Sequence, residues 1–151
     1  MTTAPLRLLT AFLLLAPVLG FAAPPLTITA AWARATPPGV TTGAAYLTVT
    51  NDGAADHLLG ASSPAARQVL LHAEVEEHGM QHMRPLESVE VPAHGKVELA
   101  PGHTHLMLVD ITAPLKPDAT IKVTLRFEKA GYLTVDVPVR DGRLEPEHPH
   151  H

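Results

Sequence analysis

The sequence has no cysteine among its 151 residues. Without a thiol, the chain can form no disulfide and no Fe–S cluster, and it has no thiolate nucleophile. A blue-copper electron-transfer centre is excluded as well, because it needs a cysteine thiolate beside two histidines. Aromatic residues make up only 4% of the chain while proline occurs 15 times, a composition compatible with a small β-protein.

Long apolar runs are also lacking. The longest, residues 8–19, is shorter than the ~20 residues that a membrane-spanning helix needs. Arg7 precedes this run and the segment 20–22, with small residues at both ends, follows it, which is typical of a signal peptide. We expect cleavage after Ala22, since a cut one residue later would place Pro24 beside the cleaved bond. The sequence therefore predicts export, to a periplasm, with no membrane span in the mature chain.

Positive charge is scarce too. Removal of residues 1–22, which contain one arginine and no acid, leaves 10 basic and 15 acidic side chains and a formal charge of −5. This charge argues against nucleic acid or an anionic membrane surface as a partner. The length suits one domain, which we expect over residues 23–144. Residues 145–151 contain no apolar side chain to bury, and they predict a flexible, histidine-rich tail.

Alternation of apolar and polar side chains dominates the mature chain, and no window has a helical stripe. In residues 120–129 the apolar side chains share one face: Ile121, Val123, Leu125 and Phe127. The alternation resumes after Gly131, which predicts a hairpin of half-buried strands. Further strands are predicted at residues 26–35, 43–51, 57–62, 68–75, 88–91, 96–99 and 105–111. Short strands separated by Gly- and Pro-rich turns predict a single all-β domain, a sandwich or a Greek-key barrel.

Methionine and histidine are concentrated in one part of this domain. Seven of the ten histidines lie within residues 57–107, together with every methionine outside the signal segment: Met80, Met83 and Met107. His105 and Met107 are two residues apart on a predicted strand, so their side chains project from the same face about 7 Å apart. Thioether sulfur and imidazole nitrogen together suit a soft ion such as Cu(I).

The residue pattern alone leaves the membership of this set open. Methionine is usually a flexible filler of hydrophobic cores, and either face of the strand at 105–111 could be the core face. Nothing in the periodicity selects Met83 over Met80, or His72 over His78 or His82.

The segment from His72 to Asp110 resembles the periplasmic PCu(A)C copper chaperones. The signature of that family is a His, ten residues, a Met, twenty-one residues, and then His-x-Met. His72, Met83, His105 and Met107 match every interval. Residues 28–51, ITAAWARATPPGVTTGAAYLTVTN, are also similar to the family. The chain departs from it at Ala73, where some members have Met, and in its tail, which only some members share.

This resemblance implies a cupredoxin-like Greek-key β-fold with an exposed Cu(I) site formed by His72, Met83, His105 and Met107. It implies a monomeric, non-enzymatic chaperone that delivers copper to the CuA site of a respiratory oxidase subunit, or to another copper chaperone. Two alternatives stay open: a copper-buffering or resistance protein, and a copper-dependent redox enzyme. The tail adds a possible secondary site for Cu(II), because imidazole groups bind this ion readily: His148, His150 and His151.

Overall fold

The computed structural model describes residues 25–142 of the chain. This part consists of ten β-strands: β1 (Leu26–Arg34), β2 (Thr42–Asn51), β3 (Asp56–Ser62), β4 (Ala66–Glu77), β5 (Met80–Leu86), β6 (Val89–Val91), β7 (Gly95–Leu99), β8 (Thr104–Ile111), β9 (Thr120–Phe127) and β10 (Gly131–Arg140). Within these residues no helix is long and apolar enough to cross a membrane. The predicted signal peptide, residues 1–22, and the predicted tail, residues 145–151, lie outside the described residues.

Seven of the strands close into a barrel in the order β4–β8–β2–β1–β10–β9–β3, with β3 pairing again with β4. Neighbouring strands run antiparallel except β1 and β10, which pair in parallel. The three remaining strands branch from the ring, where β5 pairs with β4, β6 with β3 and β7 with β2. The prediction of a single all-β domain, either a sandwich or a barrel, is confirmed, and the structure shows that it is a closed barrel.

The barrel interior is filled by the apolar side chains of the alternating pattern. On β9, Val123, Leu125 and Phe127 are buried as the pattern predicts, and Leu58 on β3 and Val137 on β10 are fully enclosed. Each such side chain contributes about 1.5–3 kcal/mol relative to an exposed one. The core is therefore spread around the ring, and residues that point out of the barrel contribute little to it.

Strand β5 was absent from the predicted strands, and β4 extends to Glu77, two residues beyond its predicted end. The two strands form a hairpin whose two turn residues, His78 and Gly79, have φ angles of 54° and 76°. Two positive φ angles are the signature of a type I′ turn, and His tolerates this region better than most residues. The strand escaped detection because Met80–Leu86 has no buried face, so no apolar alternation marks it.

A buried carboxylate ties the start of β3 to the β9–β10 turn. Asp56 is 3% exposed, and its Oδ1 accepts backbone N–H bonds from His57 at 2.7 Å and Lys129 at 2.9 Å. Its Oδ2 accepts a third from Ala130 at 2.9 Å. Burial on its own would raise the pKa of Asp56, but these three N–H donors and the Lys129 charge outweigh burial and lower the pKa below its usual value.

Asp56→Ala should lower the free energy of unfolding by about 2–3 kcal/mol at neutral pH, because buried N–H groups would lose a charged acceptor. In the wild type this stabilisation is complete above the unfolded-state pKa of about 3.9 and is lost as the pH falls through the lower folded-state value. Urea unfolding between pH 7 and pH 3 should therefore show a steeper loss of stability in the wild type than in the variant. Parallel curves would contradict this role for Asp56.

Candidate metal centre

Strand β8 divides its side chains between the core and the outside of the barrel. Leu106 and Leu108 point inward and are 0% exposed. His105 and Met107 alternate with them and therefore share the outer face. The open question of which face is core is thus answered, and His105 and Met107 are available to a ligand.

His72 lies directly opposite His105, since the two residues are register partners in the β4–β8 pair. Their imidazole rings are nearly parallel, with an interplanar angle of 19° and centroids 6.1 Å apart. An imidazole nitrogen binds a transition metal at about 2 Å and its ring centroid lies about 1 Å farther, so two rings on one ion are at most about 6.5 Å apart. The observed centroid distance of 6.1 Å lies within this limit.

The orientation of the His105 ring is held by its surroundings. Its Nδ1 lies 3.2 Å from the carbonyl oxygen of His103, and with the proton on Nδ1 that nitrogen donates and leaves the lone pair of Nε2 free. A hydrogen bond of this kind sets the tautomer of metal-binding histidines. The Tyr46 ring lies 6.3 Å from the His105 ring and the Trp32 ring lies 4.7 Å from Tyr46. Tyr46 and Trp32 thus form an aromatic stack beside the His105 ring.

The imidazole of His72 is poor in hydrogen bonds and stays uncharged. Its Nδ1 is buried without a hydrogen-bond partner, an arrangement that usually costs stability unless another ligand satisfies the atom. Burial lowers the pKa of His72, and the neighbouring His105 lowers it further. The neutral ring is therefore favoured near pH 7, and no proton has to leave before a metal binds.

Met83 reaches the same region from the hairpin. It pairs with Glu74 across the β4–β5 ladder, and it is 58% exposed. Met83, His105 and Met107 all line one cleft of about 370 Å³, whose walls also include Arg34 and Glu74. The cleft brings both candidate thioethers together with one of the two imidazoles, and His72 stands beside that imidazole.

The structure separates the four matched residues from the other candidates. Met80 and His82 alternate with Met83 along β5 and so lie on the opposite face of that strand. Within residues 25–142, no three His, Asp or Glu side chains are grouped closely enough to hold a metal ion. A metal bound at the paired imidazoles would accordingly have the methionine sulfurs as its nearest soft donors. The tail histidines lie outside the described residues: His148, His150 and His151.

Comparison with known proteins finds similarity to putative lipoproteins and to solved PCuAC domains. The family described as "Putative lipoprotein LpqE-like" matches residues 26–139. The "Putative lipoprotein Lxx21020" of Leifsonia xyli subsp. xyli is 38% identical over 116 residues, which are 76% of this chain and 69% of that protein.

Two similar solved structures contain copper. The copper-bound PCuAC domain from PmoF2 is 31% identical with a TM-score of 0.66, and the match covers 80% of this chain and 97% of that domain. The Cu(I) form of DR1885 from Deinococcus radiodurans is 31% identical with a TM-score of 0.60, over 75% of this chain and 76% of that one.

Proposed function

The chain belongs to the LpqE-like family and has a PCuAC-like fold, and from this premise we propose that it binds Cu(I) outside the cytoplasm and passes the ion to another protein. The acceptor that we propose is the CuA site of a respiratory oxidase subunit, or a second copper chaperone. Export by residues 1–22 to a periplasm is part of this proposal, and the relatives' description as lipoproteins supports it. The 151 residues contain no cysteine thiol to which a lipid could be attached.

The proposed ligands are His72, Met83, His105 and Met107. The observation that carries this assignment is that β4, β5 and β8 place these four side chains in one region of the surface. The imidazoles of β4 and β8 face each other at 6.1 Å, and Met83 of β5 shares a cleft with His105 and Met107. No residue of this set belongs to the apolar core, so the fold does not account for them.

The donor chemistry favours Cu(I) over harder ions. Thioether sulfur is neutral and polarizable, and it prefers a soft monovalent ion to Zn(II) or Mg(II). Thioethers need no deprotonation, so only the two imidazoles compete with protons. With neutral donors throughout, the bound ion keeps its single positive charge, which suits an exposed site better than a buried one.

The placement of the ligands suits release by stepwise ligand exchange. Met83 is exposed and lies on β5, which within the described residues 25–142 pairs with β4 alone and contributes no fully buried side chain. An acceptor can replace this sulfur without disturbing the barrel. His105 is 4% exposed and held by its neighbours, so we expect it to leave the ion last.

Transfer is the property that separates a chaperone from the alternatives. Cu(I)-loaded protein incubated with an apo oxidase copper-site domain should lose its copper to that domain, with the metal content of both followed after separation. Tight retention by the donor would instead support a buffering or resistance protein. Substrate turnover by the copper-loaded protein in an oxidase or reductase assay would support a redox enzyme.

We further propose that the tail histidines His148, His150 and His151 bind Cu(II), which accepts imidazole nitrogen readily. Deletion of residues 145–151 should abolish Cu(II) binding and leave Cu(I) binding at the barrel unchanged. Isothermal titration of the full-length and truncated chains with each ion tests this. An unchanged Cu(II) stoichiometry after truncation would refute a role for the tail.

A further inference from the structure

The β4–β5 hairpin presents donor side chains on both of its faces. Met83 lies on the face that meets the cleft, whereas Met80, His82 and Arg84 alternate with it and share the opposite face. An ion pair supports this division, because Arg84 Nη2 lies 3.5 Å from Oε1 of Glu77, the register partner of Met80. Met80 and His82 therefore form a His/Met pair outside the proposed metal centre.

This pair is not explained by packing. Met80 is 61% exposed and His82 is exposed, so neither fills a gap in the core. The two residues repeat the arrangement of His105 and Met107, an imidazole and a thioether two positions apart on one strand, about 7 Å between Cα atoms. The type I′ turn at residues 78–79 fixes the register of the hairpin. The backbone positions from which the Met80 and His82 side chains project are therefore fixed as well.

The end of the hairpin near its turn carries more acidic than basic side chains. Glu77 lies on the face of Met80 and His82, where it is paired with Arg84. Glu74 and Glu76 lie on the face of Met83, one strand thickness away. An excess of carboxylates raises the local concentration of positive ions and their rate of arrival. The carboxylates are hard donors and select no particular ion, so selectivity for a soft ion falls to Met80 and His82.

We propose that Met80 and His82 form a second, weaker Cu(I) site on the face of the hairpin opposite Met83, from which the ion passes around β5 to Met83. This inference rests on the proposed function of the cleft. Cu(I) is held by one thioether and one imidazole, and the bonds to Met80 and His82 are replaced by bonds to Met83 and then His105. The ion keeps its oxidation state, and no electron or proton is transferred.

The hairpin geometry makes this path short. Strand β5 lies at the end of the sheet path, and among the residues that the structure describes only β4 pairs with it, which leaves its other edge unpaired there. His82 and Met83 are consecutive residues with Cα atoms about 3.8 Å apart, and they project from opposite faces. Only one strand separates the two sites.

The first test measures the rate at which the barrel site fills. Cu(I) is supplied as its bicinchoninate complex to the full-length protein and to Met80→Leu/His82→Asn, and the loss of the complex is followed in a stopped-flow spectrometer. An ion captured by Met80 and His82 reaches the cleft by an intramolecular transfer. The variant lacks this capture site, so its cleft should fill with Cu(I) at least about fivefold more slowly. Its equilibrium affinity for the most tightly bound Cu(I) ion should stay within about twofold of the wild-type value. Gln81→Ala, on the same strand, should load at the wild-type rate.

The second test detects the site directly. In the Met83→Ala/Met107→Ala background, equilibrium titration with Cu(I) should reveal weak binding, and the number of weakly bound ions should fall by one when Met80→Leu/His82→Asn is added. Equal loading rates together with an unchanged number of weakly bound ions would overturn this inference and leave the cleft assignment intact. A wild-type protein that binds no Cu(I) tightly would overturn the proposed function itself, so the two failures are distinguishable.

Discussion

The double substitution Met83→Ala/Met107→Ala should lower the affinity for Cu(I) by more than about 100-fold. Mutation of residues that merely support metal ligands typically lowers metal affinity 10- to 100-fold, and loss of two ligands should cost more than that. The free energy of unfolding should fall by no more than about 1–2 kcal/mol. Met83 is largely exposed and Met107 points away from the core, so neither truncation opens a cavity. Competition with a chromophoric Cu(I) chelator measures the affinity, and urea unfolding measures the stability.

A methionine on the same hairpin provides the matched control. Met80→Ala removes a thioether that is as exposed as Met83 but lies on the other face of β5. The affinity of this variant for the most tightly bound Cu(I) ion should stay within about twofold of the wild-type value. If the Met83/Met107 variant bound Cu(I) as tightly as the wild type, the assignment of sulfur ligands would be wrong.

Leu108→Ala should have the opposite effect and lower the free energy of unfolding by about 2–5 kcal/mol, a large part of the 5–15 kcal/mol that holds a typical domain together. Leu108 is next to Met107 in the chain but is completely enclosed in the barrel. Truncation leaves a cavity that the surrounding ring of strands cannot close. At temperatures where the variant stays folded, its affinity for Cu(I) should match that of the wild type.

The control for this effect is Leu70→Ala on the neighbouring strand. Leu70 is the register partner of Met107 and faces outward, where it is 40% exposed. Its truncation should change the free energy of unfolding by about 0.5 kcal/mol or less. Comparable losses at Leu70 and Leu108 would contradict the division of β4 and β8 into a core face and a site face.

Strands with one buried face were predictable from sequence because burial imposes alternation. The β9 pattern, with Val123, Leu125 and Phe127 on one face, reproduces the buried set. Strand β5 has no buried face, so its sequence lacks the signal, and the His78-Gly79 turn is a weaker hairpin signal than Asn-Gly. A hairpin strand without a buried face is therefore the element that such patterns miss.

The pairing of His72 with His105 depends on strand register, which local periodicity does not contain. The two residues are 33 positions apart in the chain, and they meet only because β4 and β8 are neighbours in the barrel. Spacing within β8 linked His105 to Met107, whereas His72 and Met83 were singled out only by resemblance to a family. The signal peptide and the tail stay predictions, because the described residues do not include them.

The most direct test of the account is X-ray absorption spectroscopy of the protein loaded with one equivalent of Cu(I). We predict a monovalent copper ion with two sulfur neighbours and two imidazole nitrogens, and loss of the sulfur contribution in Met83→Ala/Met107→Ala. A spectrum with only nitrogen and oxygen neighbours in the wild type would contradict the proposal that His72, Met83, His105 and Met107 hold the ion.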